Sequence, residues 1–233
     1  MNKQGNLYTV IYVTVLVAVV GTALAFTSMS LRDRQQANVA ADKMRQILAS
    51  VRLTPAPAEV IPTFDSAITG QLVVRADGTR AEGDAFDIDV AAQSKLPAAD
   101  RLLPVYIYTA PDGECKYILP VYGAGLWGPI WGYVSLDADG STVYGAYFNH
   151  QGETPGLGAE ITRPAFSGQF EGKQMFHDGR LMPVTVVKAG QTPADGRDYV
   201  DGISGGTITS KGVAAMLDNC IAPYSAYLQS LSK

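Results

Sequence analysis

Gly123-Ala124-Gly125-Leu126-Trp127-Gly128, followed directly by Pro129-Ile130-Trp131-Gly132-Tyr133-Val134, separates two fold classes. The first six residues match the dinucleotide-binding fingerprint Gly-x-Gly-x-x-Gly letter for letter. That fingerprint works only where a helix begins at its last glycines and presents backbone N–H groups to a pyrophosphate. Here the residues that follow are β-branched and aromatic, and they read as a strand. The dinucleotide-fold reading fails on that context.

Outward from this point, further runs rich in Val, Ile and Tyr read as strands at 71–75, 104–108, 117–122, 131–136, 143–148 and 184–188. Asp137-Ala138-Asp139-Gly140 between two of them reads as a hairpin turn. It also resembles the start of a calcium loop, but the later ligands of such a loop are missing. Residues 37–53 carry apolar positions at three- and four-residue spacings and read as a helix, ended by Pro55, Pro57 and Pro62. Residues 210–228 read as a second helix, which Pro223 kinks or splits. The expected fold is α+β: one extramembrane domain with a mixed or antiparallel sheet.

Residues 4–31 contain no charged side chain, and 8–29 are dense in Val, Ile, Leu, Ala and Phe. About 20 apolar residues cross a hydrocarbon core of roughly 30 Å. Ala23-Leu24-Ala25 offers a signal-peptide cleavage pattern, but only Lys3 precedes a run that is long for a signal. The reading is a single retained transmembrane helix over 1–31, a helix and connector over 32–62, and a domain over 63–233. Arg32, Arg34, Lys43 and Arg45 after the span would keep that domain in the cytoplasm if the positive-inside rule held. The rule binds long domains weakly, so charge alone leaves the side open.

The 233 residues carry 18 Lys and Arg against 22 Asp and Glu, a net charge of −4. That balance lacks the basic footprint of a nucleic-acid binder. A hydrophobic share of 47% supports a packed core and argues against disorder. Cys115, Cys220, His150 and His177 are too few and too scattered for a zinc or iron–sulfur site in one chain. Cys115 and Cys220 are equally readable as a disulfide or as free thiols.

Gly202-Ile203-Ser204-Gly205-Gly206 matches the nucleophile elbow of serine hydrolases, yet both histidines precede Ser204, where that fold needs one after it. The longer stretch Asp201-Gly202-Ile203-Ser204-Gly205-Gly206-Thr207-Ile208-Thr209-Ser210-Lys211-Gly212 lies directly before a helix. Its glycines and hydroxyls suit either an ordinary helix start or a phosphate held on backbone N–H groups. The glycine spacing before Lys211 is wrong for a Walker loop.

Asp201-x-x-Ser204-Gly205-Gly206-Thr207 resembles the flavinylation motif Asp-x-x-(Ser/Thr)-Gly-Ala-Thr of periplasmic FMN-binding domains, with Gly206 in place of the usual alanine. Glu153-Thr154-Pro155-Gly156-Leu157-Gly158 resembles the loop that wraps the flavin in that family. Gly125-Leu126-Trp127 and Val200-Asp201-Gly202-Ile203-Ser204 with Thr209-Ser210-x-Gly212-Val213 are similar to one branch of it, the C-type subunits of the Na⁺-translocating NADH:quinone oxidoreductases. The alternative branch is the G-type subunits of Rnf-type electron transport complexes.

The resemblance implies FMN joined by a phosphoester to Thr207, made by a dedicated flavin transferase. Ser204, Gly205 and Gly206 would lie at the phosphate, with Thr209 adding a hydroxyl bond or serving as a plain N-cap. Thr154, Leu157 and Gly158 would border the isoalloxazine, and Glu153 would fix its own loop. Trp127 would stack on the ring or sit in the core. Lys188 would be the family's basic residue near the flavin, or simply a solvated charge. The resemblance further implies a single-pass protein of the bacterial inner membrane with its domain in the periplasm. It would relay single electrons from a membrane iron centre to the next FMN, alongside A-, B-, D-, E- and F-type subunits, while the complex exports Na⁺. A membrane-anchored module holding a noncovalent phosphate ligand is the competing reading from another class.

Overall fold

A computed structural model describes residues 5–231; Lys3, counted above, lies outside them. The chain divides into two units, Met1–Lys43 and Met44–Lys233. Helix α1 runs unbroken from Asn6 to Ser50. The helix expected over 37–53 is therefore the last part of a longer one, because no Pro or Gly interrupts the sequence between Gly21 and Pro55. The most apolar 18-residue window of α1 has a mean hydropathy of 2.3 and none of it is buried, so the helix is long and apolar enough to cross a bilayer.

In the second unit the elements follow as α2 (Val60–Ala67), β1 (Ile68–Val74), β2 (Arg80–Ala81), α3 (Val90–Gln93), β3 (Leu103–Thr109), β4 (Cys115–Ala124), β5 (Pro129–Leu136), β6 (Val143–His150) and α4 (Pro164–Ser167). Then come β7 (Phe176–His177), β8 (Arg180–Leu181), β9 (Thr185–Val187), β10 (Tyr199–Asp201), α5 (Thr207–Ile221) and α6 (Ser225–Leu231). The main sheet has the order β2-β1-β3-β4-β5-β6 with every pairing antiparallel. β9 and β10 pair in parallel, which makes the strand content mixed. Pro223 lies in a 3₁₀ turn, Ala222–Tyr224, that splits the last expected helix into α5 and α6.

Both faces of the sheet are covered. On one, Leu119, Val121, Ile130 and Val134 pack with Val213, Met216 and Leu217 of α5. On the other, Tyr106, Ile118 and Tyr133 pack with Ile47, Leu48, Val51 and Phe64. Burial on both faces erases the alternation that a half-exposed strand shows, so the strands are legible by residue type rather than by period.

The dinucleotide look-alike is the β4–β5 hairpin: the Gly125 amide donates to the Gly128 carbonyl at 2.8 Å, beneath the Ala124–Pro129 pair. The expected turn at 137–140 also forms, with Gly140 at φ +69° and the Asp139 carboxylate accepting from the Ser141 and Thr142 amides. Cys115 and Cys220 are both free thiols. Burial raises the Cys220 thiol above its ordinary pKa, and its sulfur meets the Tyr122 amide at 3.4 Å.

α5 lies unusually close to the sheet. A Cβ on Gly212 would collide with the Ala124 carbonyl oxygen, and one on Gly123 would stand 2.7 Å from the Met216 Cβ. Gly→Ala inside an exposed helix normally gains about 1 kcal/mol. Here the backbone contact reverses the sign, and Gly212→Ala is expected to destabilise by roughly 1–3 kcal/mol. Thermal unfolding checks it; a raised midpoint would contradict the close approach.

Candidate functional site

α5 begins at Thr207 without a side-chain cap, its N-cap being Gly206. The first N–H groups of such a helix lack intrahelical partners and carry the positive end of its dipole. The loop ahead is tied to β9 and to α5 through its amides: the Gly202 amide donates to the Val187 carbonyl at 2.7 Å, and the Ile203 amide to the Ser210 hydroxyl at 2.9 Å. Gly205 has φ +74°, a conformation that favours glycine, and a Cβ there would strike Leu157 Cδ2 at 2.6 Å. Gly206 needs no such freedom, but a Cβ would lie 3.1 Å from Ile203 Cβ and 3.3 Å from the Gly158 nitrogen. The usual alanine thus demands a shift of a few tenths of an ångström that glycine here avoids.

Thr207 is exposed and stands where two clefts meet. One, of about 220 Å³, gathers Leu126, Glu153, Thr154, Leu157, Gly158, Ile208 and Thr209 beside Gly205 and Gly206. The other, of about 340 Å³, includes Lys188, Gln191, Ser204 and Lys211 beside Gly205. The predicted residues that follow β9, those of the 153–158 loop and those from Ser204 to Thr209 are therefore brought together around Thr207. Trp127 is the exception: the residue is 69% exposed at the hairpin tip and lines neither cleft. The core position considered for it is excluded.

Glu153 is 5% exposed and ties three segments together. Its Oε1 accepts from the Trp127 amide at 2.8 Å, and its Oε2 accepts from the Thr209 hydroxyl. Its own amide donates to His150 Nδ1 at 3.1 Å. Gly125 and Gly158 make room for the carboxylate, since a Cβ on either would collide with one of its oxygens. Burial alone would raise its pKa, but hydrogen bonds from Thr209, Trp127 and Leu126 outweigh that and hold it below the ordinary carboxylate value. Thr209 is accordingly neither an N-cap nor a free hydroxyl: it is 1% exposed and committed to Glu153. The hydrolase reading loses its base on geometry as well, because His177 Nε2 accepts from the Asp198 amide and His150 serves Glu153.

Several cleft residues carry no assigned role in the sequence, among them Ile208, Leu126 and Lys211. Ile208, 57% exposed, falls just past the last residue of the motif, and Leu126 sits beside the more conspicuous Trp127. Lys211 enters the sequence reading only through the Walker loop that its glycine spacing excludes. Helical spacing was the available signal for it, since residue 211 lies one turn beyond Thr207 on α5.

A family model described as an FMN-binding domain matches residues 125–222, from the β4–β5 hairpin to the end of α5. The C-type subunit of the Na(+)-translocating NADH-quinone reductase of Vibrio anguillarum is 34% identical over 233 residues, covering 93% of this chain and 91% of that one. Its counterpart in Pseudomonas aeruginosa is 31% identical and covers 100% of this chain and 98% of its own. Among solved structures, the C-type subunit from Parabacteroides distasonis superposes with a TM-score of 0.80 at 48% identity, covering 85% of this chain and 96% of that one. NqrC from Shewanella oneidensis gives a TM-score of 0.69 at 26% identity, with 84% and 98% covered. These whole-length matches favour the NqrC branch over the Rnf alternative: the chain belongs to the NqrC family, the FMN-binding C-type subunits of the Na⁺-translocating NADH-quinone reductases.

Proposed function

We propose that this chain carries FMN covalently through a phosphoester to Thr207 Oγ1 and relays single electrons within a Na⁺-translocating NADH:quinone reductase. The observation that carries the proposal is an exposed threonine hydroxyl at the first position of an uncapped 15-residue helix, at the meeting of two clefts. The residues fit the group. A helix start of this kind favours an anion at Thr207, and the bare Gly205 and Gly158 let Leu157 and the Glu153 carboxylate close up against the loop that carries it. Leu126, Leu157 and Ile208 offer apolar surface to a ring, while Ser204 and Lys188 offer polar groups on the other side. When bound, FMN supplies reversible one-electron chemistry.

The protein's share is positional. A covalent bond retains the cofactor where free flavin is scarce, and the Glu153 carboxylate locks the hairpin, the 153–158 loop and α5 into one frame. The sequence resemblance supports a periplasmic domain, a flavin transferase acting on that side, and A-, B-, D-, E- and F-type partner subunits. It also supports electrons arriving from a membrane iron centre and leaving to a further FMN.

Co-expression of the full chain with its transferase, then tryptic mass spectrometry, tests the attachment. The peptide spanning residues 198–211 is expected to gain the mass of one FMN less one water, with fragmentation placing the gain on Thr207. An unmodified peptide, from a strain whose transferase is active on another substrate, would leave the noncovalent module as the better reading.

A further inference from the structure

The two clefts that meet at Thr207 differ in charge. Glu153 is the carboxylate of the first, and its oxygens are taken up by the Trp127 amide and the Thr209 hydroxyl. The second is lined by Lys188, just past β9, and Lys211, from the first turns of α5, together with Ser204. Among the described residues, no carboxylate lines it. Asp201, the acidic residue of the motif, borders a different cavity with Gln169 and Lys173. Lys211 falls four residues after Thr207 on the same helix, a spacing that brings Cβ atoms to about 5–6 Å on one face. Its flexible four-carbon stem then reaches any anion on the threonine oxygen.

We propose that Lys211 is the counter-ion of the phosphodiester borne by Thr207, a positioning residue that holds the linkage on the cationic side of the threonine. This rests on the covalent-FMN reading above. Lys211 stands at an unspecified position of the family pattern, so the role belongs to this chain's own residues. The pair is exposed, and its strength is that of a surface ion pair, a few-fold in an equilibrium rather than orders of magnitude.

The test compares full-length wild type, Lys211→Gln and Lys211→Arg, each co-expressed with the transferase and purified in detergent. The deciding readout is the ³¹P resonance of the attached phosphodiester. Lys211→Gln is expected to displace it from the wild-type position, and Lys211→Arg to keep it near that position. About 1 M salt, where the screening length is about 3 Å, is expected to move wild type toward the Gln variant. Covalent flavin fluorescence should accumulate about three-fold more slowly in Lys211→Gln at low salt. A resonance identical in all three proteins overturns the proposal, even with slowed attachment, because Lys211 would then serve the transferase instead. A wild type that gains no covalent flavin removes the underlying reading and this proposal together. A fluorescent wild type with an unshifted Gln variant removes this proposal alone.

Discussion

Thr207→Ala, co-expressed with the flavin transferase, gives a dark band on a denaturing gel beside a yellow-green fluorescent wild type. The expected loss is complete, because the substitution removes the oxygen to which the proposed ester attaches. Folding is not at risk: Thr207 is exposed, its side chain caps nothing, and Ala suits a first helical turn. Thr207→Ser keeps the oxygen and is expected to retain fluorescence, at a reduced level because serine loses the β-branch that limits the hydroxyl's rotamers. Ser204 and Thr209 set the controls within the same loop. Ser204 is exposed and could in principle accept a phosphoryl group, so Ser204→Ala must leave the band bright. Thr209 is buried against Glu153 and cannot substitute for Thr207. A fluorescent Thr207→Ala band would move the attachment elsewhere and sink the assignment.

Much of this arrangement was legible in the residues, for identifiable reasons. The strands announce themselves through β-branched and aromatic runs, and the hairpin at 125–128 through glycines with no helix behind them. The break at Pro223 follows from a proline that cannot continue a helix. What the sequence hides is which side chains talk across distance. Thr209 reads as a cap because hydroxyls near helix starts usually are caps, yet a carboxylate 56 residues earlier claims it. Trp127 reads as core or as a stacking platform because tryptophan is large and apolar, whereas the tightness of its hairpin leaves the residue exposed. The continuity of α1 was obscured by the change from apolar to charged residues near Leu31, a change of environment that does not end a helix.

Glu153 carries the second large expectation. Removing its carboxylate leaves the Trp127 amide and the buried Thr209 hydroxyl without their acceptor, and opens space beside Gly125 and Gly158. Hydrogen bonds to a charged group contribute about 1.5–3 kcal/mol each, and water recovers part of that. Glu153→Ala is therefore expected to cost about 3 kcal/mol, which in a domain of this size lowers the unfolding midpoint by roughly 6–12 °C. Glu153→Gln keeps the shape and one acceptor while its amide turns to the Thr209 hydroxyl, so about half that loss is expected. The pH dependence separates a charged latch from a packing effect. Because the folded pKa of Glu153 lies below its unfolded value, its stabilisation is fully present above the unfolded pKa, about 4.3, and is lost as pH falls through the folded value. The gap between wild type and Glu153→Gln should be widest near neutral pH and close below about pH 4. A gap that stays constant across that range would mean the glutamate acts by shape alone. Flavin attachment in Glu153→Gln should persist at reduced yield, since Thr207 keeps its oxygen while the frame that presents it loosens.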